Sequence, residues 1–186
     1  MFEEGAGHTI LDHRFHALHG LTQLKSPHIG KPLRDSFKMI AANRREGEEW
    51  PWELSRFLYL VTNTDDRECW SAFSSICKQL QEWQRIGLIR YVGYEKVKND
   101  HPVRREQLRF LQSFLDDRSP VDDGPGKKCE VRDVAEHLLA EQLGVKTRLH
   151  PKGGWMPHPD RGPLSRLLFR EVLRELASRE LAKAGK

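Results

Sequence analysis

The sequence predicts a mainly α-helical protein, an irregular helical bundle of about six to eight helices with a short β arm. Apolar residues recur at helical spacing through most of the 186 residues, whereas one stretch near residues 88–97 alternates as a strand would. The content of 31% charged and 38% hydrophobic residues is typical of a soluble, helix-rich protein with a charged surface. The length suffices for one substantial core or two small ones.

Residues 1–48 are interpreted as an N-terminal, His-rich helical segment, and residues 49–186 as a second helical domain. The first predicted helix runs from Thr9 to His19 and stops at a glycine. The second runs from Lys31 to Arg45 and has Pro32 in its first turn, where proline is well tolerated.

Three histidines and one aspartate share the polar face of the first helix: Asp12, His13, His16 and His19. Imidazoles three residues apart on a helix can bind one metal ion. A site normally takes a further ligand from elsewhere in the chain, and the sequence indicates none here. We therefore expect a solvated helix face without a metal or another cofactor, and keep these histidines as weak candidates.

A short helix over Glu53–Thr62 is followed by a long one that begins near a capping box of Asp65 and Glu68 and extends to about Arg85. Its apolar arc contains Trp70, Phe73, Ile76, Cys77, Leu80 and Trp83. We therefore expect Cys77 to be a buried core thiol. The three cysteines lack CxxC spacing, which favours a reducing, cytoplasmic setting.

Residues 76–98 read ICKQLQEWQRIGLIRYVGYEKVK, a helix that ends in Ile-Gly-Leu-Ile before an alternating stretch. This segment resembles the recognition helix and wing of winged-helix DNA-binding domains. The resemblance implies a nucleic-acid-binding protein in which Lys96 and Lys98 contact phosphates.

Residues 104–145 contain two amphipathic helix patterns, separated by a connector with Pro120, Gly124, Pro125 and Gly126. Leu108 and Leu111 are predicted to face Val134 and Leu138, with His137 on the opposite face and Gly144 as the residue that ends the second helix. The second helix, EVRDVAEHLLAEQLGV, resembles that of a HEAT-like repeat, and the 40-residue scale of the pair fits that repeat. The resemblance implies HEAT-like helix-pair packing and a role as a binding scaffold.

Residues 146–162 are predicted to be a loop because they are rich in proline and glycine. Trp155, His158 and Asp160 are its chemically interesting members. A catalytic His–Asp pair is conceivable there, but no nucleophile motif accompanies it, and burial of the Trp155 ring is the simpler interpretation. Whether residues 150–162 carry a site stays open.

The last predicted helix covers residues 163–183 and begins at Pro163. Its expected core face contains Leu164, Leu168, Phe169, Val172, Leu173 and Leu176. Arg166, Arg170 and Arg174 form a stripe beside that face, in the one region that holds the chain's surplus of +4 charge. Such a stripe can bind an acidic protein or a nucleic acid, or it can be a solvated helix edge partly neutralised by Glu171 and Glu175.

These features favour a non-enzymatic protein, because the sequence contains no P-loop, GxGxxG, HExxH or kinase signature. We expect a cytoplasmic protein–protein interaction or scaffold protein whose partner is another protein. The alternative is a winged-helix-like nucleic-acid-binding protein that uses residues 76–98 and the C-terminal arginines. No signal peptide and no membrane-spanning run is predicted.

Overall fold

The structure, a computed structural model, describes residues 7–24, 29–43, 53–95, 103–122, 128–145 and 163–183. Over these residues it confirms a mainly α-helical fold with a short β element. The helices and strands are α1 (Gly7–Gln23), α2 (Gly30–Asn43), α3 (Glu53–Val61), α4 (Arg67–Cys77), α5 (Glu82–Tyr94), α6 (Val103–Gln112), β1 (Pro120–Asp122), β2 (Lys128–Glu130), α7 (Val131–Gln142) and α8 (Pro163–Lys183).

The chain divides into two compact units, Met1–Leu80 and Gln81–Lys186. The segment boundary predicted after residue 48 does not coincide with this division. In unit 1, α1 packs on α3 and α2 packs on α4, so the His-rich segment shares its core with the two helices that follow it.

Phenylalanine rings form the centre of unit 1. Phe37 lies between Phe57 and Phe73, with ring centroids 5.9 and 5.6 Å away, and Phe15 of α1 contacts Phe57 at 5.8 Å. Such tilted and edge-on pairs are favourable beyond the apolar area that they bury. Phe37, Phe57 and Phe73 are completely buried. They join α2, α3 and α4 into one core.

Two thiols belong to the same core. Cys77 is fully buried, which confirms the prediction of a core thiol. Cys69 is equally buried, and burial, reinforced by the nearby Asp66 carboxylate, raises the pKa of its thiol far above its ordinary value. Cys69 therefore stays protonated at neutral pH and is a poor nucleophile.

The N-cap of α4 is Asp66, one residue later than the predicted Asp65. The Asp66 carboxylate accepts a hydrogen bond from the backbone N–H of Cys69 at 2.7 Å. Gly30, the first residue of α2, lies directly against this carboxylate, because an added Cβ would sit only 2.1 Å from Asp66 Oδ2. The close approach of α2 to this cap explains why a glycine occupies position 30.

The prediction of one long helix to about Arg85 is wrong. Helix α4 ends at Cys77, and the backbone N–H groups of Gln79 and Leu80 bond to the carbonyls of Ile76 and Cys77 in a tighter turn. Leu80 is buried in this turn. Because the turn interrupts the helix, the faces of α5, which begins at Glu82, do not continue those of α4. Trp83 consequently leaves the apolar arc of α4, and its side chain is 63% exposed instead of buried.

The short β element also lies elsewhere than predicted. Residues 88–94 are helical, and the prediction of a β arm near 88–97 is therefore wrong over these residues. The spacing of Ile89, Val92 and Gly93 also fits one helix face, and this face packs on α7. The strands are β1 and β2, which pair antiparallel with Val121 opposite Cys129 inside the connector between α6 and α7.

Helices α6 and α7 form the central pair of unit 2, and α5 and α8 each contact both of them. The four predicted core residues are buried: Leu108, Leu111, Val134 and Leu138. His137 departs from the expectation of an exposed face, since its side chain is only 16% exposed and burial lowers its pKa. It lies 3.8 Å from Glu141.

Both ends of α7 are capped. At the start, Glu130 and Asp133 form a capping box, in which Asp133 accepts from the backbone N–H of Glu130 at 3.0 Å. At the end, Gly144 takes the left-handed conformation with φ +67, as predicted. The N–H groups of Gly144 and Val145 bond to the carbonyls of Glu141 and Ala140, which completes a Schellman motif. These caps define the length of α7.

The two glycines of α5 make a matched prediction for stability. A Cβ at Gly93 would meet the Leu138 side chain at 2.6 to 2.9 Å, whereas a Cβ at Gly87 would meet nothing within 4 Å. We expect Gly93→Ala to lower the free energy of unfolding by about 1–3 kcal/mol through overpacking. Gly87→Ala should raise it by up to about 1 kcal/mol, because alanine is the better helix former. Urea denaturation of both variants checks this, and equal effects would contradict the packing of α5 on α7.

Candidate interaction surface

Arg170, the centre of the predicted basic stripe, is buried. Arg170 is only 5% exposed, and its guanidinium forms ion pairs with Asp133 at 2.9 Å and Glu136 at 2.8 Å. The stripe expected on the surface of α8 is therefore interrupted at its middle residue. Arg170 joins α8 to α7 and is not available to an external phosphate or carboxylate.

The other arginines and the lysine described on α8 also face carboxylates. Arg174 contacts Asp116 at 2.5 Å and Glu171 at 2.5 Å. Arg179 pairs with Glu175 at 2.8 Å, and Lys183 with Glu180 at 2.7 Å. Partial neutralisation of the helix edge, one of the two interpretations left open by the sequence, fits these contacts.

Several predicted site residues lie outside the described residues. They are Lys96, Lys98, Trp155, His158, Asp160 and the side chain of Arg166. The loop 146–162 lies outside them as well.

The N-terminal histidines lie on α1, where they contact aromatic rings. The His19 ring lies 5.8 Å from the ring of Tyr59 and 5.9 Å from that of Phe15, while His13 and His16 are exposed. Within the described residues, no group of three or more His, Cys, Asp or Glu side chains is arranged to hold a metal ion. The side chain of Asp12 is not among those described.

Helix α5 is held at its C-terminal end by two side-chain amides, one buried and one partly buried. Gln107 of α6 donates to the carbonyls of Val92 at 2.6 Å and Glu95 at 2.7 Å, and Gln142 of α7 donates to the carbonyl of Gly93. The last carbonyls of a helix have no partner within it, so these amides replace the water that would otherwise bind them. The end of α5 is thus attached to both helices of the central pair.

An ion pair holds the first half of α5. Arg85, 8% exposed, donates to Asp117 at 2.5 Å and to Ser119 at 3.1 Å. Partial burial alone raises the pKa of Asp117, but hydrogen bonds from Ser119 and the Arg85 guanidinium outweigh it and hold the pKa below its usual range. The Asp117 carbonyl also accepts from the backbone N–H of Arg132 at 2.8 Å. This cluster links α5 to the segments before and after the hairpin.

The outward side of α5 carries an exposed aromatic surface, which we call the α5 ring face and define as Trp83, Gly87, Tyr91 and Tyr94. At about 100° per residue these positions fall within a sector of about 80°. Trp83 is 63% exposed, Tyr91 43% and Tyr94 50%. The indole N–H of Trp83 donates to the Gln81 side chain at 2.7 Å, which orients the ring.

The inward side of α5 is apolar as well, since Ile86, Ile89 and Val92 are buried in unit 2. Helix α5 is therefore apolar around most of its circumference. A helix of this kind is normally covered on both sides. Large exposed rings on a firmly anchored helix are characteristic of a surface that another molecule covers.

A second exposed apolar patch lies on α8. Leu167, Leu168 and Val172 are each more than half exposed, although Leu168 and Val172 were predicted to face the core. Leu173 is buried, as predicted, and Ala177 and Arg170 are buried as well. The helix is thus rotated relative to the prediction, because the acidic side chains of α7 draw Arg170 inward.

The α5 ring face was missed in the sequence because residues 76–98 were assigned to the wrong elements. The interpretation placed Trp83 at the end of one helix and Tyr91 and Tyr94 in a strand. With a single helix over 82–94, the spacing of i, i+8 and i+11 would have placed all three rings on one face. The sequence pattern did not reveal that a turn at residues 78–81 separates α4 from α5.

In the described part of the chain, no helix is both long and apolar enough to cross a membrane. Comparison with protein-family models, with curated proteins and with solved structures gives no match for this chain.

Proposed function

We propose that this protein acts as a protein-binding module and that the α5 ring face is its binding surface. The observation that carries the proposal is the exposure of Trp83, Tyr91 and Tyr94 on one side of a helix whose other side is buried. Tryptophan and tyrosine are enriched at protein interfaces and among the residues that dominate binding energy, because each combines a large apolar ring with one polar group.

The anchoring of α5 also supports binding. Gln107 and Gln142 hold its C-terminal end, and the Arg85–Asp117 pair holds its first half. Rings on a firmly held helix lose less conformational freedom when a partner binds than rings on a loose segment. Helices α5 and α8 both pack on the α6–α7 pair, so the α5 ring face is carried by a packed group of helices, which supports a binding role.

The nucleic-acid alternative has less support. Phosphate binding draws its affinity from lysine and arginine side chains that reach the backbone. The described basic residues from Arg170 to Lys183 instead face carboxylates of this chain. The α5 ring face has Arg90 at its edge, and two exposed carboxylates, Glu82 and Glu95, flank the helix.

Photo-crosslinking tests this proposal directly. A benzophenone amino acid in place of Tyr94, which is 50% exposed, keeps a ring at this position, and the same group in place of Tyr59 of α3, which is 38% exposed, serves as a matched control. We expect irradiation in an extract of the producing cells or in concentrated purified protein to yield protein adducts at position 94 that are lost on Trp83→Ala. The adducts are identified by mass spectrometry.

Two outcomes would contradict the proposal. One is the same set of adducts at positions 94 and 59, which would indicate random encounters. The other is an adduct of nucleic acid at position 94 that is sensitive to nuclease and absent at position 59. The second outcome would support the nucleic-acid alternative, in which the rings of the α5 ring face stack on bases.

A further inference from the structure

We infer that the α5 ring face binds the same face of a second copy of this chain, in an antiparallel arrangement about a twofold axis beside Gly87. This inference rests on the proposed function and names its partner. It follows from the spacing around Gly87, which has one ring four residues before it, Trp83, and one ring four residues after it, Tyr91. Two such faces packed antiparallel place Trp83 of each copy against Tyr91 of the other, which is the reciprocal contact that a twofold interface makes. Tyr94 lies outside this reciprocal contact.

The geometry of an antiparallel pair follows from helix dimensions. Trp83 and Tyr91 lie about 6 Å along the axis on either side of Gly87. If the two copies of Gly87 meet at the axis, Trp83 of each copy lies beside Tyr91 of the other. Gly87 lets the two helices approach closely, because it presents no side chain where the backbones cross.

Nothing among the described residues explains a glycine at position 87. Gly93, on the inward side of the same helix, is required because Leu138 occupies the space of its missing Cβ. At Gly87 no described residue occupies that space, and a glycine inside a helix is unfavourable relative to alanine. A second helix packed against Gly87 would make the small residue necessary, just as α7 does at Gly93.

Charge complementarity favours a second copy as the partner. The centre of the α5 ring face carries no charged side chain, so two copies meet without repulsion between like charges. Arg90 lies at the edge of the face, about 20° beyond its sector on the side of Trp83. The antiparallel pairing brings Arg90 of one copy next to the indole of Trp83 of the other, and tryptophan is the best ring for a cation–π contact.

The available area predicts a weak dimer. The exposed parts of three aromatic side chains offer roughly 300–400 Å² per copy. Twice this area lies below the roughly 1,000 Å² that a stable interface buries, so we expect a weak, transient dimer. The dimer should therefore form only at high concentration or where copies are brought together.

Sedimentation equilibrium of the full chain tests the dimer. Between about 10 µM and about 1 mM, the average mass should rise from the monomer value of 21.7 kDa toward twice that value. Gly87→Glu, which places a carboxylate of each copy at the axis, should weaken association at least about ten-fold. Gly20→Glu on α1 is the matched control and should leave association unchanged. Thermal unfolding verifies that both variants are folded.

A cysteine at the axis gives an independent geometric test. The three native cysteines are buried, so a new thiol at an exposed site reacts selectively. With a mild oxidant, Gly87→Cys should form a disulfide-linked dimer much faster than Gly20→Cys, because only residues near the axis meet their own copy. Equal cross-linking rates would overturn the antiparallel arrangement.

Monomeric behaviour at about 1 mM, or a dimer that survives Gly87→Glu unchanged, would overturn the inference. Its failure is distinguishable from failure of the proposed function. Adducts with other proteins at position 94, combined with monomeric sedimentation, would retain the binding surface and reject the second copy. Equal adducts at positions 94 and 59 would remove the binding surface itself.

Discussion

Replacing Leu138 by aspartate should unfold unit 2 or leave it barely stable, with a loss of more than about 3 kcal/mol in the free energy of unfolding. Leu138 is fully buried, and its side chain contacts Gly93 of α5 while α7 also packs on α6. The substitution would put an ionised carboxylate into the apolar contact between α7 and α5. A buried charge without a partner is among the most destabilising changes a core can receive.

Urea denaturation monitored by circular dichroism measures this effect. Glu141→Ala, three residues further along α7 on an exposed position, is the matched control and should change stability by less than about 0.5 kcal/mol. His137 is less suitable as a control because burial of its ring lowers its pKa. If Leu138→Asp and Glu141→Ala unfolded at the same urea concentration, the assignment of the α7 core face would be wrong.

Arg170→Met should be the second most damaging single change, with a loss of about 3–5 kcal/mol. The methionine keeps much of the apolar length of the side chain but removes the charge between Asp133 and Glu136, whose side chains are 12% and 18% exposed. Two largely buried carboxylates of α7 would then lack their shared cation. We therefore expect α8 to detach from α7 before the rest of unit 2 unfolds.

Two further variants separate charge pairing from packing. Arg179→Met removes an exposed arginine of the same helix, which is paired with Glu175. We expect it to lower the free energy of unfolding by less than about 1 kcal/mol. Combining Arg170→Met with Glu136→Gln should restore part of the lost stability, since one of the two unpaired charges is gone. A double variant as unstable as the sum of its single variants would show that Arg170 acts by packing alone.

Helix α7 shows how much of this fold the sequence predicts. Its apolar period indicates the core residues Val134 and Leu138, and Gly144 marks its end. The predicted starts of α3 and α8 at Glu53 and Pro163 also match the structure. These features follow from local patterns, namely apolar periodicity and helix-stop signals. Such patterns can be recognised in the sequence without knowledge of the tertiary contacts.

The break between α4 and α5 depends on tertiary contacts and was missed. The apolar residues from Trp70 to Trp83 keep helical spacing across the break, so periodicity cannot detect it. Burial of Leu80 in a tight turn ends α4, and packing of Ile89 and Val92 on α7 favours helix where the sequence alternates like a strand. Because this break was missed, the α5 ring face was missed as well.

The arginines of α8 illustrate the same limitation for the site. Their spacing places Arg170 and Arg174 on one side of a helix, which is correct, but spacing does not reveal whether a carboxylate lies opposite. Asp133 and Glu136, 37 and 34 residues earlier in the chain, decide that Arg170 is buried. The fold decides which residues become partners when they lie so far apart in the sequence.

Hydroxyl-radical footprinting of the α5 ring face tests the central claim most directly. Trp83, Tyr91 and Tyr94 should be oxidised readily in dilute purified protein, whereas the buried Trp70 should be protected. We expect the three rings to lose most of their reactivity at high protein concentration or in extract of the producing cells, while exposed Tyr59 of α3 reacts as before. Unchanged oxidation of Trp83 and Tyr91 under both conditions would contradict the claim that the α5 ring face is a binding surface.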